Sequence, residues 1–170
     1  MNYIVAVDQQ WGIGKQNDLL FSLKGDMAFF RTTTSGKTVI MGDRTLASLP
    51  GGKPLKNREN IVMTLDQNFV APEGVTVCHS TDELFQLLST KENTDDVFVM
   101  GGATIYNLLY SYCEYAYITK VDAIGNADVF IKNLDEEPNW QVCDTGETME
   151  ENGIAYTFYT YQNNGVKPMK

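Results

Sequence analysis

The sequence predicts an α/β fold: a mixed, mostly parallel sheet flanked by helices, closing on an antiparallel edge. Three observations predict it. Short apolar runs of strand length alternate with segments of helical pattern along most of the chain, the arrangement from which parallel sheets are built. The last two apolar segments, near 140–148 and 154–161, lie close together with no helix between them and read as an antiparallel pair. The 170 residues show no internal repeat and no low-complexity block, so one domain is expected over 1–163, with a polar, frayed tail over 164–170.

The elements follow in order. YIVAV (3–7) reads as a buried strand, and a loop rich in Gly, Gln and Asn follows over 8–18. DMAFFRTTT reads as a helix that Gly36 stops. KTVIMG (37–42) is a strand, and DRTLASL is a short helix ended by Pro50, Gly51 and Gly52. ENIVMT (59–64) and VTVCH (75–79) are strands. Ser80 with Glu83 forms a capping box for a helix reaching about Leu88. DVFVM (96–100) is a strand that runs into Gly101 and Gly102, ATIYNLLY is a helix, and YAYITKVD is a strand.

Composition bounds the function. Hydrophobic residues make up 43% and charged residues 21%, the proportions of an ordinary globule able to bury about 70% of its unfolded surface. The formal charge of −9 disfavours nucleic acid and anionic membranes as partners. No apolar run reaches the length of a membrane span, and MNYIVAVDQQ lacks the features of a signal peptide, so a cytoplasmic location is expected. Cys78, Cys113 and Cys143 are odd in number and far apart, which argues against a disulfide framework or a zinc site. The one histidine, His79, is read as structural or exposed, which leaves little for a triad or a histidine metal centre.

Several motifs invite a phosphate reading. SGKT (35–38) looks like half of a P-loop, but Arg31 stands where its first glycine belongs, and Thr38 begins a strand rather than a helix. WGIGK (11–15) lacks the third glycine of a dinucleotide fingerprint. MGGATIY (100–106) is more informative, because two glycines follow a buried strand and open a helix. Such a turn either lets backbone amides approach a phosphate or is simply tight and binds nothing.

LLFSLKGDMAFFR (19–31) sets a lone acid, Asp26, among bulky apolar residues. One reading is a helix-start acid favoured by the macrodipole. The other is a pocket acid sharing a helix entry with Phe21, Phe29 and Phe30, where desolvation raises its pKa and suits it to donate a proton or anchor a cationic heterocycle.

Together these segments resemble dihydrofolate reductase along nearly the whole chain. The matching pieces are AVDQQWGIGKQNDLLFSLKGDMAFFR, KTVIMGDRTLASLPGGKPLKNRENIVMT, FVMGGATIYNLL, YITKVD and ADVF, in family order and spacing. The resemblance implies an eight-stranded mixed sheet and the reduction of 7,8-dihydrofolate to tetrahydrofolate by NADPH, supplying one-carbon metabolism; the family is usually monomeric. It puts Asp26 in the pterin pocket, oriented by Thr119, with Phe21 nearby. It implies that Ile4, Ala6, Met27, Phe30, Leu49, Leu55 and Met100 line the substrate site and that Arg58 grips the substrate's α-carboxylate. On the cofactor side it implies Ala6, Gly42, Arg44, Thr45, Gly101, Gly102, Ala103, Thr104, Ile105 and Tyr106. Ile13, Gly14 and Leu19 belong to a mobile loop over the nicotinamide, and a cis Gly101–Gly102 bond is implied.

Three departures qualify this. Phe21 stands where the family usually has tryptophan, and Leu20 and Lys24 stand where it has proline. Asp43 replaces the basic residue that faces the NADPH 2′-phosphate. Thr64, Leu65 and Asp66 replace a segment that usually donates to it; Thr64 still donates, whereas Leu65 does not. A weakened NADPH preference with room for NADH is therefore expected, unless Arg44 reaches the phosphate. The competing readings are a reductase of the same fold acting on a pyrimidine-type intermediate of riboflavin synthesis, and a nucleotide-binding module without catalysis. Neither needs Asp26, Thr119 and Arg58 together.

Overall fold

The computed structural model describes residues 1–170. In chain order the elements are β1 (Asn2–Val7), β2 (Gly12–Lys15), β3 (Asp18–Leu19), α1 (Lys24–Thr34), β4 (Thr38–Gly42), α2 (Asp43–Ser48), β5 (Glu59–Met63), β6 (Val75–Cys78), α3 (Thr81–Leu88), β7 (Val97–Gly101), α4 (Ala103–Leu109), β8 (Tyr115–Val121), β9 (Val129–Phe130), β10 (Trp140–Glu151) and β11 (Ile154–Asn163). Eight strands form the main sheet in the order β10-β11-β8-β1-β7-β4-β5-β6. β1 runs parallel to β7 and β8, and β4 runs parallel to β5 and β7. β11 is antiparallel to both β8 and β10. The expected architecture, including its antiparallel C-terminal edge, is the observed one.

Adjacent strands β4 and β7 end side by side, and the chain leaves them in opposite directions. β4 passes through α2 to β5 on one side, while β7 passes through α4 to β8 beyond β1. A sheet whose connections diverge at one point opens a crevice at the carboxyl ends of its strands there, the usual ligand position in such folds. The central strands are apolar on both faces because both faces are covered. Ile40 and Ile61 join the core cluster of Tyr3, Leu84, Leu109 and Ile118, while Val39, Met41 and Val62 join Leu46 in a second cluster. No helix is long and apolar enough to cross a membrane.

The segment expected as a loop over 8–18 is more ordered than its composition implies. β2 and β3 form a hairpin, and β2 also pairs with β9 in a three-stranded sheet. Gln16 and Asn17 both have positive φ, 51° and 63°, which suits a two-residue hairpin turn whose twist matches the flanking strands. Its alternation is too short to stand out from a polar loop. The capping box is half formed. Ser80 accepts from the Glu83 N–H as expected, but the Glu83 carboxylate accepts from the His79 N–H at 2.7 Å rather than from that of Ser80. His79 Nδ1 lies 2.9 Å from the Thr64 carbonyl, a structural placement.

β10 is a twelve-residue edge strand, exposed over 141–150. Asp144, Glu147, Glu150 and two register shifts blunt this edge against pairing with another chain. Beyond Asn163 there is no regular structure; the Lys167 N–H donates to Ser111, and Met169 packs against the core.

Candidate active site

α1 carries the acid. Asp26 is its third residue, so the side chain leaves the first turn beside β8. There Thr119, 1% exposed, donates its hydroxyl to Asp26 Oδ1 at 2.7 Å. The register β1–β8 pairs Ala6 with Thr119, placing Ala6 beside the same spot. Burial pushes the Asp26 carboxyl up from its ordinary value, and the Thr119 bond, which favours the anion, opposes that shift. Tyr106, buried on α4, donates its hydroxyl to the Ile4 carbonyl at 2.6 Å. Burial and then the Asp26 charge hold that phenol protonated, so it remains a donor.

Apolar residues with part of their surface open frame the rest of this side. Met27, 47% exposed, and Phe30 follow Asp26 along α1. Leu49, Leu55 and Met100 pack against the Val39–Met41–Leu46–Val62 cluster with part of their surface left open. Phe21 packs instead against the Leu23–Val121–Tyr156 cluster and offers no polar atom.

Arg58 lies against the C-terminal part of α1. Its Nε donates to Thr34 Oγ1 at 3.0 Å, Nη1 to the Lys56 carbonyl at 2.8 Å and Nη2 to the Arg31 carbonyl at 3.3 Å. Its guanidinium also lies 5.9 Å from the centre of the Phe30 ring. Every one of these partners is neutral, and no carboxylate lies within ion-pair distance. Burial, and then repulsion from Arg31, lower its pKa. A cation fixed in orientation, short of countercharge and crowded by a second cation is arranged for an anion from outside.

The other side gathers around the glycines that end β4 and β7. The N-cap residues of α2 and α4 are Gly42 and Gly102, and neither has a side chain to cap the helix. The Gly101–Gly102 bond is cis, as the resemblance implies, and Gly101 has φ +132°, a conformation that favours glycine. A Cβ on either glycine would lie 3.6 Å from Thr45 Oγ1, and one on Gly42 would crowd Ile105 at 3.3 Å. Gly42, Thr45, Gly101, Gly102, Ile105 and Tyr106 therefore come together in one backbone-lined shelf. Its two helix starts differ in charge. The first turn of α4, which holds Thr104, has no acid, whereas that of α2 begins with Asp43.

Asp43 is held in place. Its Oδ1 accepts from the Arg44 N–H and its Oδ2 accepts from the Thr64 hydroxyl, both at 2.8 Å. Thr64 is buried, while Leu65 is 88% exposed and its side chain carries no donor.

The β2–β3 hairpin carries Ile13, Gly14 and Leu19; Gly14 pairs with Leu19, which is 71% exposed. Two acids that sequence reasoning passed over stitch this segment to residues 122–131. Asp8, 2% exposed, accepts from the N–H groups of Gln10, Gly12 and Gly125. Asp128 accepts from the Gln16 N–H at 2.9 Å. Asn60 was also passed over: buried on β5, it both donates to and accepts from the Leu55 backbone, fixing the loop that presents Leu55. A polar residue inside the apolar run ENIVM was the available signal for it. Arg31 carried no such signal.

A partly buried acid beside β8, and glycine-led helix starts where β4 and β7 end side by side, define the class: an α/β fold of the kind that takes its ligands at the carboxyl ends of its strands. The comparisons narrow this class. The dihydrofolate reductase family model matches residues 1–163. The dihydrofolate reductase of Bacillus subtilis is 36% identical over 166 residues, covering 95% of this chain and 94% of that protein. That of Staphylococcus haemolyticus is 33% identical over 164 residues, covering 95% of each. Among solved structures, dihydrofolate reductase from Enterococcus faecalis, complexed with NADP(H) and RAB-propyl, superposes with a TM-score of 0.81 at 31% identity, covering 96% of this chain and 95% of that one. The chain belongs to the dihydrofolate reductase family.

Proposed function

We infer that the chain reduces 7,8-dihydrofolate to 5,6,7,8-tetrahydrofolate with NADPH, supplying one-carbon metabolism. One observation supports this reading beyond family membership: a partly buried carboxyl, Asp26, is fixed by Thr119 at the start of α1, and an oriented guanidinium without a counter-ion, Arg58, lies against the other end of the same helix. The substrate has complementary chemistry, a nitrogen-rich ring and a carboxylate tail.

The reaction saturates one C=N bond, adding a hydride to C6 and a proton to N5. Bound NADPH supplies the hydride. Everything else falls to this chain's side chains. Asp26, with its pKa raised by burial, is suited to bond N3 and the 2-amino group of the ring and to promote protonation at N5 through the pterin and an ordered water. Such assistance is worth about 10²–10⁴-fold. Thr119 keeps the carboxyl in one rotamer. Ile4, Ala6, Met27, Phe30, Leu49, Leu55 and Met100 offer apolar walls that exclude water from the rings. Phe21 shapes the pocket without donating, so the water would be held by other groups. Arg58 pairs with the α-carboxylate.

The shelf residues fit the dinucleotide. Gly42, Gly101 and Gly102 leave room for a close backbone approach, and Thr45 offers a hydroxyl beside both helix starts. Ala103, Thr104, Ile105 and Tyr106 belong to the acid-free helix start, the better of the two for a pyrophosphate. Ile13, Gly14 and Leu19 cover the nicotinamide from the hairpin. The side chains of Asp43 and Leu65 offer a 2′-phosphate no donor, which supports a narrowed preference for NADPH over NADH with Arg44 as the remaining nearby cation. A monomer in a reducing cytoplasm completes the reading, in keeping with the buried free thiols of Cys78 and Cys113.

The test follows NADPH oxidation by absorbance in the presence of dihydrofolate, then repeats it with NADH and with a pyrimidine-type substrate. Dihydrofolate-dependent oxidation is expected. Its absence, with NADPH still bound, would leave a nucleotide-binding module without catalysis.

A further inference from the structure

The helix that carries Asp26 has a weak beginning. Leu23 occupies its N-cap position and provides no side-chain acceptor, and the first intrahelical bond runs from the Met27 N–H to the Leu23 carbonyl. The second helical residue is Gly25, a poor helix former. It cannot be larger, because a Cβ there would collide with the Tyr156 hydroxyl. The turn that aims the acid is therefore both uncapped and loosened by its own sequence.

A distant residue supplies what is missing. Glu151, at the end of β10, accepts from the Lys24 N–H through Oε2 at 2.8 Å and from the Gly25 N–H through Oε1 at 3.3 Å. Both carboxylate oxygens are thus spent on the first two amides of α1, where a negative charge also favours the helix dipole. The support for Glu151 is stiff. It pairs with Ile154 across a two-residue turn, Asn152-Gly153, in which both residues have positive φ. Tyr156, on the return strand, is 2% exposed and packs with Leu23 and Val121.

We propose that Glu151 is a positioning residue for the reaction, an N-cap supplied from the antiparallel hairpin that holds the first turn of α1, and with it Asp26, in place. This rests on the reading of Asp26 given above. Leu23 also shows how the cap becomes dispensable. Its φ of −104° and ψ of 118° are those of a residue preceding proline. Proline at 24 would occupy the first helical position, which it favours, and would remove the N–H that Glu151 serves best.

The experiment compares wild type, E151A and the double variant K24P/E151A, reading kcat, the KM for NADPH and hydrogen exchange at the Met27 amide. Loss of a cap on this turn is expected to speed Met27 exchange and lower kcat, each by about tenfold, with the KM for NADPH unchanged. The double variant is expected to recover both quantities to within about twofold. If E151A lowers Tm but leaves Met27 exchange and kcat untouched, the hairpin is merely structural and the proposal fails. It fails equally if exchange speeds up while kcat holds, or if proline restores neither. The exchange measurement needs no substrate, so it judges the cap even if wild type leaves dihydrofolate unreduced, an outcome that would overturn only the functional reading.

Discussion

The two sides of the candidate site balance their charges differently. On the side of α1, Asp26 is partly desolvated and Arg58 is held by neutral groups alone. Each lacks a counter-ion, and each is matched by a group the substrate would bring. On the side of α2, Asp43 has already met its local demand, bonding the Arg44 N–H and the Thr64 hydroxyl. A site poised for a ligand shows unspent electrostatic capacity, while a self-satisfied one does not. If the proposed assignment holds, the half that takes the substrate is expected to be stringent and the adenosine end of the cofactor half tolerant.

The largest test of this contrast is Asp26→Asn. The amide can still accept from Thr119 but cannot supply a proton, so kcat at pH 7 is expected to fall by about 10²–10⁴-fold. Stability should move the other way. A carboxyl whose folded pKa is raised stabilises the fold below its unfolded pKa, and that contribution is lost as pH rises through the folded value. At neutral pH Asp26 therefore costs stability, and the variant's Tm should rise. In wild type, kcat/KM should decline as pH climbs through the raised pKa, and this break should vanish in the variant. Thr119→Val removes the bond that favours the anion, so its break should move to higher pH. A break that stays in place would separate Thr119 from the proton chemistry.

The sequence made much of this contrast legible, for uneven physical reasons. The strands and α1 were readable because burial on one or two faces imposes period and composition on them. Asp26 was readable because an acid among Leu23, Met27, Phe29 and Phe30 violates that pattern. Its partner Thr119 was not, since a threonine in a strand is ordinary; only resemblance to the family supplied it. The β2–β3 hairpin was missed because four- and two-residue strands leave no period to detect. Asp8 and Glu151 were missed because they accept from backbone N–H groups, and a backbone donor leaves no trace in the partner's side chain. The Asp43–Thr64 bond spans 21 residues and depends on β4 lying beside β5.

Arg58→Lys is the next test. Lysine keeps the charge but not the planar fork, and it cannot reach Thr34, Lys56 and Arg31 while facing a carboxylate bidentately. Loss of one charged hydrogen bond predicts a KM for dihydrofolate raised about 10–100-fold, with kcat within about twofold of wild type. Equal loss in kcat would mean that Arg58 acts in the transition state, and the site would then be less divided than its geometry implies.

The smallest effect belongs to the tolerant side. Asp43→Asn removes a charge from the start of α2, yet its side-chain oxygen can still accept from Arg44 while the Thr64 hydroxyl turns to accept from the new amide. The fold should be unchanged. A partly exposed charge acting on a phosphate in solvent is worth little, so kcat/KM with NADPH is expected to rise only about fivefold, while that with NADH stays level. The gain should shrink as salt is raised towards 1 M, where screening acts within about 3 Å. A gain in both cofactors alike would show that Asp43 opposes the shared pyrophosphate rather than the 2′-phosphate. In that case the difference between the two sides lies in how α2 begins, and the added phosphate of NADPH plays no part in it.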